Sequence, residues 1–216
     1  MTNRIAILAG ATGLVGGRIL AGLLADPRVA AVHSLGRKVL PIQHPKLTAH
    51  VVDFAALPAL PAADEVYLAL GTTIKIAGSQ AAFRAVDFDA NQAVAQAALA
   101  AGARHLGLVS AMGADARSNV FYSRVKGELE KALEQMPFNS MVIARPSMLV
   151  GDRNALGQPS RRGELWATKV SEVLGFLIPL NYKPIAAEAV AKALLAEVPT
   201  AQGKKVLLSG EMQPQA

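Results

Sequence analysis

The chain has no cysteine in its 216 residues, which excludes disulfides and any thiolate metal site. Its four histidines, His33, His44, His50 and His105, show no metal-ligand spacing and are expected at strand ends or in loops. Aromatic residues make up only 5% of the chain, and no basic–aromatic motif of an RNA-binding sheet is present. No uncharged apolar stretch reaches the length of about 18 residues that a membrane helix needs, so no membrane span is expected. The start, Met1-Thr2-Asn3-Arg4, lacks a long apolar segment and a cleavage signal, so a secretory leader is not expected and a cytoplasmic location is the default. The net charge of +6 is scattered, with pairs at Arg37-Lys38, Arg161-Arg162 and Lys204-Lys205. An anionic small ligand explains that excess at least as well as nucleic acid, which is disfavoured. At this length one domain buries roughly 70% of its unfolded surface without a metal or covalent staple.

What is present begins at the first strand. Arg4–Ala9 is a short apolar run with two isoleucines, which reads as a buried parallel strand. It ends in Gly10-Ala11-Thr12-Gly13-Leu14-Val15-Gly16. Behind it, Leu14, Val15, Ile19, Leu20, Leu23 and Leu24 recur at helical spacing until Asp26-Pro27. Glycine lets the backbone turn there and approach a pyrophosphate without an intervening Cβ. The free N–H groups of the new helix then meet the phosphate charge. The spacing is G-x-x-G-x-x-G, one residue wider than the usual dinucleotide fingerprint.

Strand-like and helix-like segments alternate along the chain, which predicts an α/β fold with a doubly wound parallel sheet. Strands are expected at Arg4–Ala9, Ala31–Leu35, Leu47–Val52, Glu65–Leu70, His105–Val109, Ser140–Ala144 and Lys205–Leu208. Helices are expected at Gly13–Ala25, Ser79–Ala101, Val120–Gln135, Gly163–Leu174 and Ala186–Glu197. Gly151–Gly163 reads as a loop. Residues 1–216 form one domain, with 151–216 contributing a small substrate-side C-terminal lobe. The alanine-rich face of Gln80–Ala101 suits either its own sheet or a second copy, so a homodimer is open.

Ligands of such a sheet gather outside the carboxyl ends of its strands. The second strand ends at Gly36-Arg37-Lys38 with no acid to hold ribose hydroxyls, so Arg37 and Lys38 favour NADP(H) over NAD(H). Asp53 and Phe54 close the third strand, where the carboxylate either meets the adenine amine or caps a turn. Leu70, Gly71, Thr72 and Thr73 end the fourth, with a glycine for close approach and two hydroxyls for phosphate or ribose. Tyr122 and Lys126 stand four residues apart on one helix and share a face. A phenol is too weak an acid to exchange protons readily at neutral pH, and a nearby cation favours its ionised form. That suits general acid–base work. Ser110 ends the fifth strand, either as a hydroxyl that polarises a carbonyl or as a turn cap.

Gly10–Gly16, Ser110, Tyr122-x-x-x-Lys126 and Arg145-Pro146-Ser147 resemble the short-chain dehydrogenase/reductase superfamily over most of the chain. More narrowly, Leu70-Gly71-Thr72-Thr73, Ser110 with Gly113-Ala114-Asp115, and Tyr122–Glu128 resemble the atypical branch related to the Tat-interacting-protein oxidoreductases. The resemblance implies a Rossmann fold that binds NADPH. It assigns Tyr122 as general acid, Lys126 to the ribose, and Gly10, Thr12, Gly13, Leu14, Val15 and Gly16 to the pyrophosphate. Arg37 faces the 2′-phosphate, and Pro146 lines the cofactor site. Extended members often carry asparagine at the place of Asp87, and many superfamily members have a second hydroxyl where Ala111 follows Ser110. The expected activity is hydride transfer between nicotinamide and a small-molecule carbonyl or alcohol. Rival readings are an NADPH-binding regulatory or scaffold protein and a nucleotide-sugar epimerase or dehydratase.

Overall fold

The computed structural model describes residues 3–150 and 179–213. The expected loop at Gly151–Gly163 and helix at Gly163–Leu174 lie outside them. Strands β1 (Arg4–Ala9), β2 (Val29–Gly36), β3 (Leu47–Val51), β4 (Glu65–Leu68), β5 (His105–Val109), β6 (Ser140–Arg145) and β9 (Gly203–Leu208) form one seven-stranded sheet, ordered β3-β2-β1-β4-β5-β6-β9. Every pairing in it is parallel. The chain leaves β1 towards β2 on one side and returns to β4 on the other. The crevice above that reversal is where ligands bind in such sheets.

The two faces of the sheet are covered by different helices. On one, α1 (Leu14–Ala25) and α6 (Ala187–Glu197) bury Val15, Ile19, Leu23, Val190 and Leu194 against Leu8, Val32 and Val142. On the other, α4 (Asn91–Ala100) and α5 (Phe121–Glu134) bury Val94, Ala98, Leu129 and Leu133 against Ile7, Leu68 and Ile143. Central strands are buried on both faces: all four residues of β4 are buried, three of them apolar, with Glu65 held by Arg4. Ala95 and Ala98 of α4 pack on their own sheet.

Several boundaries moved. The fourth strand stops at Leu68, so Leu70 stands in the loop beyond it. The long helix expected over Ser79–Ala101 is α3 (Gln80–Arg84), a π-helical turn (Ala85–Ala90) and α4. A one-turn helix α2 (Ile74–Ala77) precedes it. Residues 179–213, expected in the C-terminal lobe, largely complete the main layers: β9 extends the sheet beside β6, and α6 lies on α1. A second, two-stranded sheet of β7 (Leu149–Val150) and β8 (Ile185–Ala186) stands apart from the seven-stranded one.

Candidate active site

The glycine turn joins β1 to α1. Gly10 has φ +96°, a conformation that L side chains resist. A Cβ on Gly10 would lie 2.4 Å from the carbonyl oxygen of Ala69, and one on Gly16 would lie 2.0 Å from the carbonyl oxygen of Gly10. Gly10 thus lets β1 and the β4 exit pass side by side, and Gly16 lets α1 start directly against the turn. Gly13 precedes α1 without a side-chain cap, and the first turn of α1 carries no acidic residue. Its opening N–H groups therefore have no side chain competing for them, as a pyrophosphate site requires. Leu14 and Gly13 are half-buried, Thr12 is exposed and Val15 is buried. The cradle fits the phosphates of a dinucleotide.

Arg37 and Lys38 are exposed just beyond β2, at the side where the adenosine of such a cofactor lies. Asp53 is exposed, and its Oδ1 accepts the Ala55 N–H at 2.9 Å. That is the turn-capping alternative. Phe54 is half-buried against the core. The Thr73 hydroxyl accepts the Ile76 N–H at 3.1 Å as the cap of α2, so its lone pairs serve the helix before any ribose. Pro146 is buried at the β6 exit.

Tyr122 stands in the first turn of α5, 36% exposed, with its ring 5.6 Å from that of buried Phe83 of α3. One turn further, Lys126 is buried, and its Nζ lies 2.7 Å from Asp87 Oδ1. The contact is an ion pair by distance, although its angles fall outside those of a hydrogen bond. Asp87 Oδ2 accepts the Thr72 N–H at 2.8 Å. Asp87 sits in the π-helical turn, the kind of local widening that recurs at functional sites. Asn91 lies one turn on, with Nδ2 3.2 Å from the carbonyl oxygens of Leu70, Val86 and Asp87. It ties the β4 exit to the π turn. A Cβ on Gly71 would meet Asp87 Oδ1 at 3.5 Å and Lys126 Nζ at 3.8 Å, so the glycine loop lies directly over the pair.

A third turn of α5 brings Glu130, also buried. Ser110 Oγ donates to Glu130 Oε1 at 2.5 Å. Arg145 donates from Nε to Oε1 at 3.1 Å and from Nη2 to Oε2 at 2.5 Å. The fork of hydrogen bonds to Glu130 raises the Arg145 guanidinium above its usual range, against a smaller opposing effect of burial. A serine has one O–H, and here Glu130 takes it. Ser110 therefore presents lone pairs, not a donor, to anything above β5, which alters the expected carbonyl-polarising role. Glu130 was not singled out by sequence reading, and Arg145 entered within Arg145-Pro146-Ser147, without Glu130 as its partner. The signal available for Glu130 was its spacing: Tyr122, Lys126 and Glu130 fall at successive intervals of four on one helix face.

With that geometry established, likeness to known proteins has a physical counterpart. The sequence description of the "NAD(P)H-binding" family matches residues 10–171, from the glycine turn past α5 and β6. The chain belongs to this family. A protein of Emericella nidulans named "Protein fmp52, mitochondrial" is 33% identical over 94% of this chain and 94% of its own length. "Protein HTATIP2" of Rattus norvegicus is 35% identical over 78% of this chain and 71% of its own. Among solved structures, an oxidoreductase of the short-chain dehydrogenase/reductase family from Burkholderia thailandensis superposes with TM-score 0.68 at 18% identity, covering 98% of this chain and 94% of that one. The protein is thus an NAD(P)-binding, short-chain-dehydrogenase-like Rossmann protein of the atypical branch that includes these relatives. The expected cytoplasmic location is corrected by the same comparison. Fungal relatives are named as mitochondrial, and the cytoplasmic default had rested only on the lack of a legible leader.

Proposed function

We propose that the protein is an NADP(H)-dependent oxidoreductase acting on a carbonyl or alcohol, with Tyr122 as its general acid and base. The nicotinamide cofactor, when bound, supplies or takes up the hydride. Tyr122 gives a proton to the carbonyl oxygen in reduction and removes it from the alcohol in oxidation. Lys126 holds the ribose and keeps positive charge beside the phenol. Ser110, whose O–H is committed to Glu130, does not donate to the reacting oxygen and instead ties the β5 exit to α5. The backbone of Gly10–Gly16 receives the pyrophosphate, and Gly71 and Thr72 leave room for the nicotinamide end. The observation that carries this reading is Tyr122, solvent-accessible on the same face of α5 as buried Lys126, beside the crevice where the sheet reverses.

NADP(H) is preferred to NAD(H) on this reading because two exposed cations follow β2 where an NAD site offers an acid. Calorimetric titration of the apo protein with NADPH and with NADH tests it. The expected result is at least tenfold tighter NADPH binding, with the preference abolished by Arg37→Glu. Equal affinity for both nucleotides would remove the NADP assignment. A second reading is supported by one feature, the commitment of the Ser110 proton to Glu130: a regulatory protein that binds NADPH and turns over little. Measurable NADPH oxidation with any member of a carbonyl panel excludes it.

A further inference from the structure

A lysine ammonium in the protein interior keeps its charge only where a counter-charge offsets the loss of water. The Lys126 side chain is 5% exposed and that of Asp87 1%. Asp87 comes from the π-helical turn, Lys126 from α5, and the Thr72 N–H that fixes the second carboxylate oxygen from the β4 exit. Three separate elements converge to place one carboxylate against one ammonium. Among the described residues, the other charged groups of this part of α5 are paired: Glu130, one turn along, with Arg145, and Glu128 with Arg84. Among the described residues, Tyr122, one turn back on α5, is the further titratable group on that face.

We propose that Asp87 is a positioning residue that keeps the buried Lys126 ammonium charged and fixed beneath Tyr122 before any cofactor arrives. The role follows from the proposed function, since the charge matters only if Lys126 serves a ribose and a phenol there. Asp87 touches neither reacting atom; it acts through Lys126. The neutral Asp87→Asn side chain keeps an oxygen for the Thr72 N–H but offers Lys126 no charge. Burial then favours the neutral amine, and the site loses both its cation and part of its hold on the ribose.

The direct test is the charge of Lys126 itself, read in the apo protein from the 13Cε resonance that disappears in Lys126→Met. In the native protein that resonance is expected to hold its charged-form position from pH 6 to 9. In Asp87→Asn it moves to the neutral-form position within that range. NADPH affinity gives a second readout: the ratio of Asp87→Asn to native Kd rises about tenfold between pH 7 and 9, and Asp87→Asn adds nothing in the Lys126→Met background. A purely structural role predicts a ratio independent of pH. Should Asp87→Asn lose its far-UV circular dichroism, Asp87→Ser carries the same neutral substitution at smaller volume. A Lys126 resonance that stays in its charged position in the neutral variants overturns the proposal. If the native protein binds neither nucleotide, the cofactor reading falls, while the resonance still decides what Asp87 does.

Discussion

Removing the carboxylate of Glu130 is the sharpest single perturbation of this site's framework. Glu130 joins three elements: its own helix α5, the β5 exit through Ser110, and the β6 end through Arg145. Glu130→Gln keeps the volume and removes the charge. Deleting one partner of a buried, hydrogen-bonded pair costs about 3–5 kcal/mol, because the other charge is left without compensation. Here the Arg145 side chain is 28% exposed, so solvent relieves part of that, and about 2–3 kcal/mol is the expected loss. For a chain of this size each kcal/mol lowers Tm by roughly 2–4 °C, so calorimetry should show a fall of about 4–12 °C. Ser110→Ala removes only one hydrogen bond to a charged acceptor and leaves the ion pair, so about 1.5 kcal/mol is expected. The order matters as much as the size: Glu130→Gln must exceed Ser110→Ala. A fall below about 2 °C for Glu130→Gln would mean the three groups are not coupled and the Ser110 O–H is not committed to Glu130.

Tyr122→Phe is expected to keep NADPH affinity within about threefold while lowering turnover of any accepted carbonyl at least a hundredfold, the usual weight of a general acid; parallel loss of binding would refute that division of labour. Neighbouring glycines separate geometry from propensity. Gly16→Ala places a methyl 2.0 Å from a backbone oxygen and should abolish nucleotide binding, whereas at Gly17 the nearest atom would be 3.4 Å away. Gly17→Ala should therefore fold normally and gain about 0.5–1 kcal/mol in chemical denaturation, from helix propensity alone. Burial, and after it the Glu65 charge, pushes the Tyr67 phenol well above its ordinary value of 10.0. A raised value in the fold means the contribution is intact below the unfolded phenol's range and disappears as pH climbs through 10 and beyond. Urea midpoints should fall above that pH in the native protein and fall less in Tyr67→Phe.

The parts of the site that sequence made legible are those built from neighbours in the chain. The turn at Gly10–Gly16 and the Tyr122–Lys126 interval each lie within one strand–helix junction or one helical turn, so spacing alone carries them. What spacing could not carry is which distant group meets which. Asp87 and Lys126 are 39 positions apart, and Ser110, Glu130 and Arg145 come from three elements. Even so, the clue at Asp87 was present. Phe83, Asp87, Asn91 and Ala95 recur at intervals of four, and all are buried, so two polar side chains occupy an apolar stripe, where they need partners. The π turn that lets Asp87 reach α5 leaves no mark in the hydrophobic pattern, and the stretch reads as unbroken helix. Thr73 and Asp53 show the opposite case, and for Asp53 the turn cap is one of the two readings its position allowed. Their side chains serve the nearest backbone N–H, a local use that Thr, Asp and their kind adopt readily.

The arrangement along α5 explains why a cofactor site and a strained charge balance need not conflict. Tyr122, Lys126 and Glu130 descend one face from the exposed rim to the buried base, and polar groups become costlier with that depth. The rim residue is a tyrosine, whose hydroxyl tolerates partial exposure. The two charged residues below it are each matched by an opposite charge from a different element, Asp87 and Arg145. The helix is therefore held to the π turn at one level and to β5 and β6 at the next. Those ties fix the rotation of α5 about its axis, and that rotation decides whether Tyr122 faces the crevice. Tyr122, the proposed acid–base residue, is thus oriented by charges buried beneath it rather than by its own described contacts, which amount to an aromatic ring 5.6 Å away. Loss of either counter-charge should misplace Tyr122 before it unfolds the sheet, because the core on both faces is apolar and continuous without them.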